Sequence, residues 1–416
     1  MQEQKFSNRK ILKREIINMI NPSANGWIDK FFTENNENFI DFQGNTLSFY
    51  EDCRTTGFIY GYVVNFQLKN QINTSNWSYD EVTKVGFLNT LFSLYRIEKS
   101  NGTKEDFINS VYQFYKIIQP ENLNFIKKLL PEGTYSSRLE KIIDDRIQTN
   151  NNTISKNFSH IITNALLFID VLAFQHYLKN EALPADYLKN AESDCIKIVS
   201  LALKIKERKS KYDELLVKLF ENSIRYTKFN TIENIELSEI KLIRHTSLLE
   251  RLYLLDIAQM ALWSDEKLEP NEEHFLKLLS SELELDSNLL DKSSKEINDF
   301  IEKYKSEIPF FNYSNPIKHF YDQANKNVTK LIIRNKDRLT KEIKESGELM
   351  QLLAKSTTKD LSKEEKKKVK KQLLDICKTV PSLTIFLLPG GSLLLPILIK
   401  FIPQLLPSAF NENLED

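Results

Sequence analysis

Apolar residues recur at the spacing of α-helices along almost the whole chain. The pattern is clearest in two long runs, Phe158–Leu178 and Leu248–Trp263, where apolar positions return every three or four residues. No segment shows the alternation of apolar and polar residues that marks a half-buried strand. The pattern therefore predicts an all-α protein built from multi-helix bundle domains.

Polar breaks and prolines divide this helical pattern. The stretch from Gln148 to Thr153 is polar, and Pro309 and Pro316 interrupt the pattern further on. The domains predicted from these breaks are an N-terminal helical domain at 1–148, a second helical domain at 153–306, a basic helical connector at 307–360, and a C-terminal segment at 361–416.

Composition excludes several classes of protein. The chain has 416 residues, with 57 Lys and Arg against 57 Asp and Glu, so the whole molecule is not one large nucleic-acid-binding surface. Glycine-dependent phosphate loops are excluded as well, because none of the 10 glycines lies between Gly133 and Gly347. The three cysteines and five histidines are scattered without catalytic or metal-binding spacing. We therefore expect a non-enzymatic protein with no cofactor and no DNA partner.

Two acidic residues lie inside apolar helical runs and need an explanation. Asp170 and Asp256 are flanked by apolar residues on both sides. Such residues are either buried polar contacts or acids of a functional site, and we interpret them as buried contacts because buried polar groups normally have hydrogen-bond partners.

The basic charge is concentrated ahead of the C-terminal segment. From Ile317 to Lys378 there are 17 Lys and Arg against 9 Asp and Glu, a net charge of +8. Ser362 and Glu365 then have the spacing of a capping box, which predicts the start of a helix. The apolar stripe predicted for this helix consists of Val369, Leu373, Ile376, Cys377 and Val380.

The other faces of this helix carry a block of lysines. They suit an anionic partner, such as lipid headgroups, although a merely solvated helix face has the same pattern. The lysines predicted to face lipid or a ribosome are Lys363, Lys366, Lys367, Lys368, Lys370 and Lys371.

An uncharged segment follows the lysines. Thr379–Ile399 has 21 residues without a charge, and a helix of that length reaches ~31 Å, about one hydrocarbon thickness. Its prolines and central glycines predict kinks, which fit either a kinked anchor or a broken helix at a transport site. The residues singled out in and after this predicted membrane segment are Pro381, Pro389, Gly390, Gly391, Ser392, Pro396, Pro403 and Pro407.

The stretch from Leu361 to Phe410 resembles the Letm family, the leucine-zipper/EF-hand-containing transmembrane proteins, and in particular the bacterial Letm-related biofilm-associated proteins. The shared features are the basic capped helix, the Val380–Pro381 start, the proline rhythm and the exit Leu405–Phe410. The resemblance implies ribosome binding and proton-coupled cation exchange. The family places an acid where this chain has Ser392, and a proton carrier at membrane depth is usually a carboxylate.

A second resemblance lies in the middle of the chain. Ala258–Leu279 is similar to the helical hairpin of TerB-like tellurite-resistance domains, with Pro270 at the first position of the second helix. The resemblance implies a weak Ca²⁺ or Mg²⁺ site at Asp265, Glu269 and Glu272. A packed hairpin with a solvated acidic loop is the other interpretation, and we prefer it.

These observations predict a Letm-like interaction or scaffold protein that binds ribosomes. The expected location is the bacterial inner membrane, with attachment through the C-terminus and the bulk of the chain in the cytoplasm. A homo-oligomer is a further expectation. The alternatives are a subunit of a proton-coupled K⁺ or Ca²⁺ exchanger and a soluble TerB-like stress-response protein.

Overall fold

The regular structure of the protein is helical. The computed structural model describes residues 20–119, 133–148, 166–206, 236–263, 268–307, 325–326, 328–378 and 397–400. Over these ranges no β-strand occurs, and a single isolated bridge pairs Phe39 with Leu68. The predicted all-α class is therefore confirmed for the described part of the chain.

The helices fall into a larger N-terminal set and a smaller C-terminal set. The α-helices of the larger set are α1 (Trp27–Glu34), α2 (Thr46–Thr56), α3 (Tyr79–Glu98), α4 (Lys104–Ile118), α5 (Tyr135–Gln148), α6 (Phe168–Asn180), α7 (Tyr187–Ile205), α8 (Leu248–Leu262), α9 (Pro270–Glu282) and α10 (Ser287–Tyr304). Short 3₁₀ helices lie at Phe58–Tyr60, Leu237–Glu239 and Leu242–Arg244. The smaller set contains α11 (Lys336–Glu345), α12 (Gly347–Thr358) and α13 (Lys363–Lys378).

Several helices begin at capping boxes whose residues stand three apart in the sequence. At the start of α3, Ser78 Oγ accepts a hydrogen bond from Glu81 N at 3.3 Å, and Glu81 Oε2 accepts one from Ser78 N at 2.8 Å. Ser247 and Glu250 begin α8 in the same way. These side chains satisfy backbone N–H groups that a helix start leaves without partners.

The larger set shares one hydrophobic core that extends from Ile20 to Ile301. Helix α8 is buried on nearly all sides, because α2, α7, α9 and α10 pack around it. Helix α3 packs against α5 and α6, so helices from both sides of residues 148–153 contribute to this core. The boundaries predicted at 148, 306 and 360 stay predictions about separate folding units.

Close backbone packing at the end of α2 requires a glycine. Gly57 caps the helix with a left-handed φ of 77°, which side chains with a Cβ rarely adopt. A Cβ at this position would overlap the carbonyl oxygen of Tyr62 and the ring of Phe300. The end of α2 therefore approaches α10 more closely than any larger residue allows.

A buried ion pair joins α2 to the central helix α8. Arg54 donates to Asp256 through two bonds, Nε to Oδ2 at 2.7 Å and Nη2 to Oδ1 at 2.9 Å. Tyr50 donates to the same carboxylate at 2.9 Å, and Arg54 also reaches Glu296 on α10 at 2.8 Å. Both side chains of the central pair are only 2% exposed. A charge at this depth is tolerated only when it is paired and hydrogen-bonded, so the cluster fixes the register of three helices.

A second cluster of the same chemical kind joins α4, α5 and α6. Arg146 donates to Asp170 at 2.7 Å from Nε and 2.6 Å from Nη2, and Tyr115 donates to Oδ2 at 2.7 Å. The interpretation of Asp170 and Asp256 as buried polar contacts is therefore confirmed, since each is held by an arginine and a tyrosine.

A third buried cluster surrounds His245, where α6, α7 and α8 meet. Its Nε2 lies 2.9 Å from Asp194 Oδ2, and its Nδ1 lies 3.5 Å from Glu250 Oε1. Tyr187 donates to Glu250 at 2.7 Å, and His176 Nε2 lies 3.4 Å from the same carboxylate oxygen. Burial lowers the pKa of His245, but the bonds to the two carboxylates outweigh burial and raise it above 6.5. Burial raises the pKa of Glu250, and its hydrogen-bond donors outweigh this and lower it below 4.5.

The stability of the fold should therefore depend on pH through this cluster. The raised pKa of His245 gives a stabilisation that is complete below its unfolded value of 6.5 and is lost as pH rises through the folded value. The lowered pKa of Glu250 gives a stabilisation that is present above 4.5 and is lost as pH falls through the folded value. We expect the urea midpoint to fall as pH rises above 6.5, and His245→Gln to remove most of that fall.

The matched control is His274→Gln, because His274 is exposed on α9. It should leave the pH dependence of the urea midpoint as it is in the unmodified protein. Equal pH dependence in the His245→Gln variant and the unmodified protein would contradict the assignment of this titration to His245.

Candidate interaction surface on the C-terminal helices

Helices α11, α12 and α13 each pack against the other two and form a second hydrophobic core. We call residues 328–378 the C-terminal module; its residues 328–334 are also helical. Its buried apolar residues are Val328, Leu331, Ile332, Leu339, Ile343, Leu349, Leu353, Val369, Leu373, Ile376 and Cys377. The module thus holds α13 against two other helices, with one face of α13 buried in the core.

Helix α13 begins at the capping box expected from the sequence. Ser362 Oγ accepts a hydrogen bond from Glu365 N at 3.2 Å, and Glu365 Oε2 accepts one from Ser362 N at 2.9 Å. The predicted apolar stripe is buried from Val369 to Cys377, and Val380 lies outside the described residues. Both predictions for the start and the inward face of α13 are confirmed.

Two ion pairs neutralise the side of α13 that faces α12. Lys368 Nζ lies 3.1 Å from Glu348 Oε1, and Gln372 also donates to the Glu348 carboxylate. Lys355 Nζ lies 2.6 Å from Glu365 Oε1. The hydrogen bond from Lys368 lowers the pKa of Glu348, and the one from Lys355 lowers the pKa of Glu365 to about 2. Both carboxylates are therefore ionised at neutral pH, and each pairs with a lysine across the two helices.

The remaining lysines of α13 leave a positive row on its outer side. All six predicted lysines are exposed. Besides Lys368, none of the six has a carboxylate within ion-pair distance among the residues that the structure describes. Members of the row that stand four residues apart lie one turn apart on the same face. The unpaired lysines are Lys363, Lys366, Lys367, Lys370 and Lys371.

Most of the predicted membrane segment lies outside the described residues. Pro381, Pro389, Gly390, Gly391, Ser392, Pro396, Pro403 and Pro407 all lie outside the described residues. Residues 397–400 are helical, and Leu398 is buried in the core of the C-terminal module. None of the described helices combines the length and the apolar character that crossing a bilayer requires.

The C-terminal module contacts the larger core through an arginine that sequence reasoning did not single out. Arg334 donates to Glu81 from Nη1 to Oε2 at 2.9 Å and from Nη2 to Oε1 at 2.5 Å. Glu81 also caps α3 and accepts a hydrogen bond from Ser23 at 2.6 Å. Burial raises the pKa of Glu81, but Arg334 outweighs burial and lowers it below its ordinary value. Glu81 therefore caps the start of α3 and also binds Arg334 of the C-terminal module.

Both helices of the acidic hairpin are present, whereas residues 264–267 of its loop lie outside the described residues. Helix α8 packs against α9, and Pro270 is the first residue of α9. Glu272 is buried and accepts a hydrogen bond from Glu269 N at 2.9 Å, so its carboxylate caps the helix. Asp265 lies outside the described residues. In the described ranges no three His, Cys, Asp or Glu side chains are arranged to hold a metal ion, and the weak cation site stays a prediction.

Comparison with known proteins identifies one part of the chain. Residues 361–416 match the family model described as LETM1-like, RBD, the LETM1-like ribosome-binding domain. The Letm resemblance is therefore confirmed for this segment, which begins two residues before α13. No curated protein and no solved structure matches the chain. The TerB resemblance of the hairpin finds no support in these comparisons.

The contact between Arg334 and Glu81 should hold the C-terminal module in place. Glu81 is 2% exposed in this pair, so Arg334→Gln leaves a buried carboxylate without its charged partner. We expect a loss of about 1–3 kcal/mol in the free energy of unfolding, together with faster amide exchange in residues 328–334 and in the first turn of α3. Urea denaturation and hydrogen exchange with mass spectrometry measure these two effects.

Arg338→Gln is the matched control, because Arg338 is exposed on α11 and the charge change is the same. Similar losses of protection in the two variants would show that the contact with Glu81 does not position the module.

Proposed function

We propose that this protein binds bacterial ribosomes through its C-terminal segment and has a non-enzymatic, scaffolding role. The observation that carries the proposal is the match of residues 361–416 to the LETM1-like ribosome-binding domain, because that segment contains the helix with the unpaired lysine row. Ribosomes are covered with RNA phosphates, and exposed, unpaired ammonium groups suit such a surface.

Sedimentation of the full chain with ribosomes tests this proposal. The purified protein should pellet with 70S ribosomes through a sucrose cushion and saturate as its concentration rises, whereas serum albumin should stay in the supernatant. A variant with Lys367→Glu and Lys371→Glu should stay in the supernatant, because two reversed charges repel phosphate. The control variant, with Lys295→Glu and Lys303→Glu on α10, makes the same charge change far along the chain and should still pellet.

All four lysines lie at the protein surface, so we expect each variant to keep its fold. The melting temperature of each variant checks this expectation. Absence of the unmodified protein from the ribosome pellet would overturn the proposed function. Pelleting of both reversed variants would place the ribosome contact elsewhere on the chain.

We propose as well that the protein is attached to the inner membrane, with the lysine row on the cytoplasmic side. The support is the uncharged run of 21 residues that directly follows α13, since a basic block before an apolar segment is typical of cytoplasmic flanks. Cation exchange and a TerB-like stress response, the two alternatives from the sequence, stay predictions.

Cell fractionation with a charged substitution tests the attachment. Leu387→Lys with Leu394→Lys should shift the protein from the membrane pellet towards the soluble fraction, because each lysine at the centre of a membrane segment costs ~3 kcal/mol. The control Leu387→Ala with Leu394→Ala should remain in the membrane pellet. Soluble protein in both variants and in the unmodified chain would contradict the attachment.

A further inference from the structure

We infer that the five unpaired lysines of α13 contact the phosphates of double-helical RNA, without reading its sequence, and that Lys355 and Lys368 take no part in this contact. The inference deepens the proposed function and rests on it, because the ribosome is taken as the source of the RNA.

The geometry of α13 sets the backbone positions of these lysines out as a fixed array. Lys363, Lys367 and Lys371 stand four residues apart, so they form one ridge about 12 Å long at ~1.5 Å per residue. Lys366 and Lys370 form a shorter ridge beside it. The burial of Leu373 and Cys377 holds the helix against α11 and α12. An array that is already ordered loses little backbone entropy when it meets a row of phosphates.

The composition of the C-terminal module indicates that it contacts the phosphates of the RNA and not its bases. Residues 328–378 contain no Phe, Tyr or Trp, so the module has no aromatic ring on which an unpaired base could stack. The row consists of lysines only, and an ammonium group is a point charge that lacks the planar fork with which arginine reads guanine. Contacts of this kind position a protein on a nucleic acid but carry no sequence information. They suit a duplex, where phosphates are presented and bases are stacked inside.

The ion pairs of the module distinguish lysines that already have a carboxylate partner from lysines that have none among the described residues. Lys368 is held by Glu348 and Lys355 by Glu365, so a phosphate would have to compete with a carboxylate already in place. The five unpaired lysines have no such competitor among the described residues. Counterion release on binding should therefore come from these five, while the two paired lysines contribute little.

Salt dependence of binding to short RNAs tests this assignment in the full chain. We propose fluorescence anisotropy with two duplex RNAs of about 20 base pairs and unrelated sequence, which exceeds the span of about 16 base pairs that a duplex-RNA module covers. A single-stranded RNA of one of these sequences is the third probe. The two duplexes should bind equally and better than the single strand. The logarithm of affinity should fall against the logarithm of KCl concentration with a slope of roughly −4 if all five lysines engage.

Two double variants with the same change in charge separate the two groups of lysines. Lys367→Gln with Lys371→Gln should weaken binding to both duplexes alike and reduce the salt slope by about 2, since each lost phosphate contact removes about 1. Lys355→Gln with Lys368→Gln should leave the salt slope as it is in the unmodified protein. Equal changes in slope for the two variants would overturn the inference, because binding would then follow net charge and not the row. A preference for the single strand would also overturn it.

Vesicles and ribosomes distinguish the remaining outcomes. Loss of binding to phosphatidylglycerol vesicles by Lys367→Gln with Lys371→Gln, together with unchanged duplex binding, would show that the row faces lipid and would refute the inference. Retained ribosome pelleting by this variant, when the unmodified protein pellets, would refute the inference and leave the proposed function standing. Failure of the unmodified protein to pellet would remove the proposed function itself.

Discussion

The burial of one apolar stripe decides how the C-terminal surface is arranged. Val369, Leu373, Ile376 and Cys377 pack into the core shared by α11 and α12, so the rotation of α13 about its axis is fixed. Each side chain of a helix points in a direction set by its place in the 3.6-residue turn. Once the stripe faces inwards, the six predicted lysines of α13 lie exposed on its flanks and outer side. The positive surface therefore follows from apolar packing, although its own chemistry is electrostatic.

Charges in this protein fall into a structural class and a surface class. Arg54 and Arg146 are each 2% exposed and bind an aspartate through two hydrogen bonds, because an unpaired ion at that depth would cost several kcal/mol. Lys368 and Lys355 are exposed and paired across two helices, where such pairs contribute at most about 1 kcal/mol. The row on α13 has no carboxylate partner among the described residues and adds little to folding.

Glu81 links these two parts of the molecule. Its carboxylate completes the first turn of α3, accepts from Ser23 and receives both outer nitrogens of Arg334. A single buried group thus connects the start of a core helix with the module that carries the lysine row. The paired charges keep its pKa below the ordinary value despite burial, so the link is ionised at neutral pH.

Local patterns were sufficient for the features that depend on neighbours along the chain. The capping box of Ser362 and Glu365, the apolar stripe of α13, the exposure of its lysines and Pro270 at the start of α9 could all be predicted, because each depends on residues within a few turns of one helix. The sequence predicted that Asp170 and Asp256 are buried polar contacts, but it did not predict which residues they contact. Arg54 lies 202 residues from Asp256, and no local spacing encodes that distance.

Only the tertiary structure separates the six predicted lysines of α13 into one that is paired and five that have no carboxylate partner among the described residues. In sequence they form one basic block, and Lys368 is indistinguishable from its neighbours. The difference arises because α12 places Glu348 beside Lys368 across 20 residues of chain. The position of Arg334 on Glu81, across 253 residues, likewise depends on how two separate cores meet. Helical periodicity determines which face a residue occupies, whereas the partner on that face depends on the packing of helices that are distant in sequence.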